Sequence, residues 1–443
     1  MFSAQLSSLE IVSIGLFTTV FILAGVMLVF GKNVRHKVVA LLTVAYFSNP
    51  VWVGRFKSGL FREGPNVSQS MFVGTIVFML LACAVQFNRK SKDTYDWISL
   101  HDFLMFLWCA VMFSVSIYAF AAGDGFSYSY AMLGVVLYFI ITKTVLVEIN
   151  HADLLDGLEI FALLYFAICW VYSIIYLEHH GGILGGRLQT ITKATEDIGV
   201  YSSLFLILVA AFRDWTRLGR SQVVLATGFI TLLASGNRAS FILFLISFIM
   251  IYMARIKKGN VFVKLIVPVA LLITVICGSI DNNKMNYGKA KSISITSSID
   301  RIKGDGMSLS SSNRMMTIWP MYLKSISENP FGVKGYPTSH DMPKNIYPHN
   351  LFLYVLYAGG LLAGILFSVW MAVACLTFFI GSSNVLISTA LIVTFLGNIM
   401  KFDPIRTPNE FAFYIGVSML CVRIAYSCHQ AVEDSLPYPA PIS

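Results

Sequence analysis

The chain has 443 residues, of which 56% are hydrophobic and only 12% charged, with a mean hydropathy of +0.72. So few charges cannot cover a water-soluble surface, so a soluble globular fold is excluded and a polytopic membrane protein is implied. The net charge of +9 does not point to nucleic acid, because the cations fall mostly between apolar segments, where they set orientation and meet anionic lipid. The seven cysteines lie in or beside apolar segments without C-x-x-C pairs or zinc spacing, so neither a disulfide framework nor a metal site is indicated.

Apolar runs long enough to span fall near 9–31, 38–54, 71–87, 99–121, 130–148, 158–177, 198–213, 221–236, 239–254, 261–280, 350–380, 385–401 and 410–426. They predict an all-α transmembrane bundle of about 12–14 helices, since backbone in hydrocarbon must satisfy itself and the runs lack a barrel's alternation. The first run lacks a basic leader and a small-residue cleavage site, and reads as a retained helix. One integral membrane domain covers 1–443.

Lys32, Arg35 and Lys37, then Arg89, Lys90 and Lys92, then Arg213, Arg217 and Arg220, then Arg255, Lys257, Lys258 and Lys264 fall on one side if the spans alternate. That side is read as the cytoplasm, with the amino terminus outside and the carboxyl terminus inside. The acidic stretch 149–159, with His151, Asp153, Asp156 and Glu159, is placed there as a loop against the trend. Acids carry little weight in this rule.

The outer face receives 55–70, 122–129, 178–197, the turn at 236–239, 402–409 and one large loop, 281–348. That loop holds nine Lys/Arg against five acids, a net +4 that orientation does not require. Within it, Met315, Ile318, Trp319, Tyr322, Leu323 and Ile326 form an amphipathic helical stripe. Ser311, Ser312 or Asn313 is expected to cap this helix, Pro320 to distort its first half, and Asn329-Pro330 to end it. The helix is expected flat on the outer membrane–water interface, with Arg314 in its first turn.

Arg238 follows Ser235-Gly236-Asn237, a cap sequence at an outward-facing helix start, and His349 and Asn350 follow Pro348, a favoured first helical residue, at another. Both helices direct the positive ends of their dipoles to one aqueous layer, where arginine adds a planar fork suited to phosphate oxygens. A diphosphate suits this corner. The bland alternative for each arginine is a snorkelling anchor, but outside arginines are not called for by sidedness. The glycines 181, 182, 185 and 186 beside Arg187 are a weak phosphate cradle and otherwise simply a loop, and His179-His180 lacks a carboxylate pattern for metal. A serine hydrolase built on Ser235 or Ser240 with His349 lacks a G-x-S-x-G elbow and an acid partner. A transporter would favour internal symmetry and intramembrane charge, whereas no repeat is apparent and the main such charge, Lys143, can snorkel.

S-G-N-R-A-S at 235–240, S-N-R-M-M-T-I-W at 312–319, E-N-P-F-G-V-K-G-Y at 328–336 and P-H-N-L-F-L-Y-V-L-Y-A-G-G-L-L-A-G at 348–364 together resemble the O-antigen ligase and O-antigen polymerase superfamily of bacterial membrane glycosyltransferases. The likeness is strongest over 235–365 and extends loosely to G-G-R-L-Q-T-I-T-K at 185–193. It implies a transferase at the periplasmic face of the inner membrane, acting on glycans linked to undecaprenyl diphosphate without a nucleotide sugar, and no cofactor or metal is expected. The family's arginines map to Arg187, Arg238 and Arg314, and its histidine to His349. Implied partners are the lipid-linked donor, an acceptor glycan or lipid A-core, membrane lipids and a chain-length regulator. Ligases often carry a second histidine where this chain has Tyr347, which favours a polymerase.

Independent chemistry agrees. A sugar on diphosphate already has its leaving group, so catalysis needs charge stabilisation and a base. The arginines neutralise the diphosphate, while His349, with a reference pKa of about 6.5, takes the acceptor hydroxyl's proton. Asn350 is expected to orient His349 or bond a sugar. Tyr336, Tyr347 and Trp319 are candidate stacking surfaces, equally readable as interfacial aromatics.

Overall fold

The computed structural model describes residues 8–47, most of 77–85, 100–121, 151–180, 183–184, 186–189, 195–213, 219–255, 289–290, 293, 318–332, 350–381 and 384–400. These are overwhelmingly helical, as an all-α membrane protein requires. The helices are α1 (Ser8–Phe30), α2 (Val34–Phe47), α3 (Leu100–Ala121), α4 (His151–His180), α5 (Thr195–Phe212), α6 (Arg220–Ser235), α7 (Arg238–Arg255), α8 (Trp319–Glu328), α9 (Leu351–Gly381) and α10 (Val385–Ile399). Three of them, Ala152–Leu177 within α4, then α7 and Leu351–Ile380 within α9, are long and apolar enough to cross a membrane, and shorter apolar helices accompany them. Large side chains such as Leu23 and Phe30 on α1 and Leu362 and Ile365 on α9 stand exposed, as lipid-facing residues do. The spans expected at 130–148, 261–280 and 410–426 lie outside the described residues.

A continuous aromatic core joins the helices. Tyr165 of α4 packs edge-on to Tyr46 of α2 and to Tyr201 and Phe205 of α5, and Trp108 of α3 lies 5.5 Å from Trp370 of α9. Such pairs contribute about 1 kcal/mol each beyond the area they bury.

The bundle has two polar ends. At one, Asp156 meets Arg35 at 2.8 Å, Arg220 at 2.6 Å and also Arg213, while Arg220 reaches Glu159 at 2.9 Å and Arg35 reaches Asp153 at 2.6 Å. Arg255 donates to the carbonyls of Ala211 and Arg213, closing the last turn of α5. Arg35, Arg213, Arg220 and Arg255 therefore share one end, as sidedness predicts. The stretch 149–159 is not a loop from 151 onward. Its acids stand on the opening turns of α4 because they pair with these arginines.

Two further expectations change. The 350–380 run is not one straight helix, because α9 breaks at Gly360 (φ 74°, ψ −174°), a conformation open essentially to glycine alone. Helix α8 begins at Trp319, so Pro320 sits in its first turn, where a missing N–H costs nothing, and does not distort its first half. Asn329 ends α8 as expected. Part of its stripe is buried against protein: Tyr322 and Ile326 pack on Leu353 and Tyr357 of α9, with Tyr322 and Tyr357 rings 4.9 Å apart, while Leu323 stands exposed.

Candidate functional site

The opposite end of the bundle is built around the turn from α6 to α7. Gly236 adopts the left-handed conformation (φ 61°) and its N–H returns to Leu233 O, ending α6. Asn237 then caps α7: its Oδ1 accepts from Ser240 N at 3.2 Å and its carbonyl from Phe241 N at 3.1 Å, while its own N–H donates to Ser235 Oγ. Arg238 is thereby the first residue of α7, half-buried, beside backbone N–H groups that carry the positive end of the dipole.

Arg187 is brought to the same corner from a different loop. Leu188 N–H donates to Ala234 O at 3.1 Å, and Gln189 N–H donates to Ser173 Oγ at 2.8 Å, so the segment 187–189 is wedged between α4 and the end of α6. Arg187 itself is only 8% exposed. Keeping a guanidinium that far from water is costly unless polar or anionic groups compensate, which is a property of binding corners more than of snorkelling anchors. The loop before it is tied down by the antiparallel pairing of β1 (Ile183–Leu184) with β2 (Lys289–Ala290), which joins the 178–197 loop to the large loop.

Asn350 is buried and caps α9: its Oδ1 accepts from Leu353 N at 3.2 Å and its carbonyl from Tyr354 N. The cap thus falls on Asn350, with α9 opening at Leu351, and not on a helix opened at Pro348. Ser388 Oγ of α10 lies 3.4 Å from the carbonyl of Phe379 near the end of α9, so α10 runs antiparallel to the second half of α9 and the break at Gly360 lies toward the Arg238 end, while the first half of α9 folds back so that Phe352 packs 5.1 Å from Phe367. Helix α8 is linked to this break through a backbone junction. Pro330 O accepts from Leu361 N–H at 2.8 Å, and a Cβ on Gly332 or Gly360 would lie 2.6 Å from backbone oxygen of the other segment. The E-N-P-F-G and Y-A-G-G stretches therefore touch.

His349, Arg314, Tyr336 and Tyr347 lie outside the described residues. Ser235 and Ser240, weighed above as nucleophiles, are engaged otherwise: Ser235 Oγ donates to Leu232 O and Ser240 Oγ to Asn398. Asn398, buried in α10, is the residue sequence reasoning passed over. Its signal was present, since an amide inside an apolar span ordinarily has a partner and a purpose.

No curated protein matches this chain significantly. Residues 223–368, about a third of the chain, match the family described as O-antigen ligase. The matched stretch takes in the Arg238 turn, α8, the Pro330–Gly360 junction and the Asn350 cap, and over it the chain is similar to that family.

Proposed function

We propose that this protein is a metal-independent membrane glycosyltransferase that polymerises undecaprenyl-diphosphate-linked oligosaccharide repeat units at the periplasmic face of the bacterial inner membrane. The observation that supports the reading is the bond from Leu188 N–H, next to Arg187, to the carbonyl of Ala234, four residues before Arg238, which ties segments about fifty residues apart in sequence to one end of a lipid-facing bundle. Two guanidinium groups beside a helix N-terminus stabilise charge on a departing diphosphate. Arg314 is the third cation, His349 the base that accepts the proton of the acceptor hydroxyl, and Asn350 the cap that fixes the backbone next to His349. Tyr336 and Tyr347 supply sugar contacts, and a chain-length regulator is the expected accessory partner.

The second reading is a ligase that moves finished glycan to lipid A-core, favoured by the description of the matching family. A deletion strain separates them. Lipid core bearing a single repeat unit supports the polymerase; bare core with long glycan retained on undecaprenyl diphosphate supports the ligase; wild-type glycan rejects both.

A further inference from the structure

Helices α7 and α10 face each other through two rungs of buried polar side chains. The deeper rung is Thr394 Oγ1 donating to Ser247 Oγ at 2.7 Å. The outer rung is Asn398, which is fully buried and bonded in both directions: Oδ1 accepts from Ser240 Oγ at 3.1 Å, and Nδ2 donates to Ser203 Oγ of α5 at 3.0 Å. Among the described residues only this outer rung bonds to a third helix, and it does so at the level of the arginine turn. Ser240 lies two residues after Arg238, and Ser203 lies one turn after Gly199, whose missing side chain makes room for Asn237. A Cβ at Gly199 would stand 2.5 Å from Asn237 Cβ.

We infer that Asn398 is a positioning residue: it clamps the first turn of α7 between α10 and α5 and so holds Arg238 in the geometry that receives the diphosphate. The inference rests on the diphosphate reading of Arg238. Placement matters here because a binding group displaced by about 1 Å loses much of its effect on a charged transition state. A buried amide serves this better than an apolar contact, since its two hydrogen bonds fix both angle and register, and breaking either strands a polar partner in the membrane interior. The inner rung supplies the control. Ser247 is nine residues beyond Arg238, about 13 Å along the helix, and joins the same two helices without touching the turn.

The test measures binding of undecaprenyl diphosphate to the full-length protein in nanodiscs, with thermal unfolding alongside. Asn398→Leu should weaken binding by about tenfold, and Ser240→Ala, a milder change that removes only the α7 half of the clamp, by about threefold. Thr394→Val should lower the unfolding midpoint comparably while leaving binding within about twofold. Arg238→Ala should weaken binding, and adding Asn398→Leu to it should cost less than a further twofold, because the clamp then has nothing to position. Asn398→Leu and Ser240→Ala that both bind normally overturn the clamp while leaving the diphosphate site standing. Equal weakening by Thr394→Val, or full additivity with Arg238→Ala, overturns it too, since the effect is then general packing. Unchanged binding by Arg238→Ala alone instead removes the diphosphate reading, and the inference with it.

Discussion

Arg187 and Arg238 differ in what holds them, and their variants should differ accordingly. Arg238 heads a helix whose cap and dipole remain when its side chain is removed, so Arg238→Ala should leave the protein folded and reduce turnover of lipid-linked repeat units by about 100-fold, with Arg238→Lys in between because charge survives and the fork does not. Arg187 is buried, and its substitution should cost both turnover and a measurable drop in unfolding temperature. Normal glycan length in both alanine variants at normal protein level would return these residues to anchors. His349→Gln keeps a hydrogen-bonding group without a base, so turnover should fall by about 100-fold while undecaprenyl diphosphate still binds; near-normal rates would leave His349 a positioning group. The Arg238 turn was legible in the sequence because a cap is local, Ser-Gly-Asn before an apolar run announcing a helix start, whereas the Asn350 cap was hidden by Pro348, which reads as a first helical residue two positions earlier. The burial of Arg187 was not legible, because it depends on Ser173 and Ala234, partners remote in sequence.

At the scale of elements, the apolar stripe of α8 was readable from its period, but which surface would cover it was not. A stripe of Trp319, Tyr322 and Ile326 serves a membrane interface and a protein groove equally, and the deciding partners, Leu353 and Tyr357, lie on the next helix. The break in α9 was hidden for a related reason. Gly359-Gly360 in an apolar run is compatible with a straight helix, and only the approach of Pro330 and Gly332 selects the bent one. The bent form has a direct test. Gly360→Ala forces a side chain into left-handed backbone and against Phe331 and Pro330, so it should destabilise the protein by several kcal/mol or abolish activity outright, whereas Gly15→Ala, on α1 with open space around it, should be silent in both respects. Equal behaviour of the two variants by thermal unfolding and turnover would argue against the junction.

For the whole molecule, sidedness joins the two polar ends. The arginine and carboxylate cluster at the start of α4 and the Arg187–Arg238 corner lie at opposite ends of the bundle, and on the proposed sidedness a cysteine at position 340 should label from outside and one at 257 only from inside; the reverse pattern would sink the mechanism. Asp156 accepts from three arginines, and Asp156→Ala should lower stability by about 2 kcal/mol, a figure tempered by the partial exposure of Arg35 and Arg220, without altering which side labels. The Pro330–Leu361 bond also bears on how the chain is assembled. On the proposed sidedness residue 330 belongs to a stretch exported before α9 enters the bilayer, and a bent α9 would leave the Leu361 N–H without an acceptor in a medium that offers no water, at a cost of several kcal/mol. The nascent helix should therefore insert straight and bend only when the exported stretch returns to dock on it. On the proposed sidedness, formation of the Pro330–Leu361 junction is then a step that follows insertion of the helices and is not part of it.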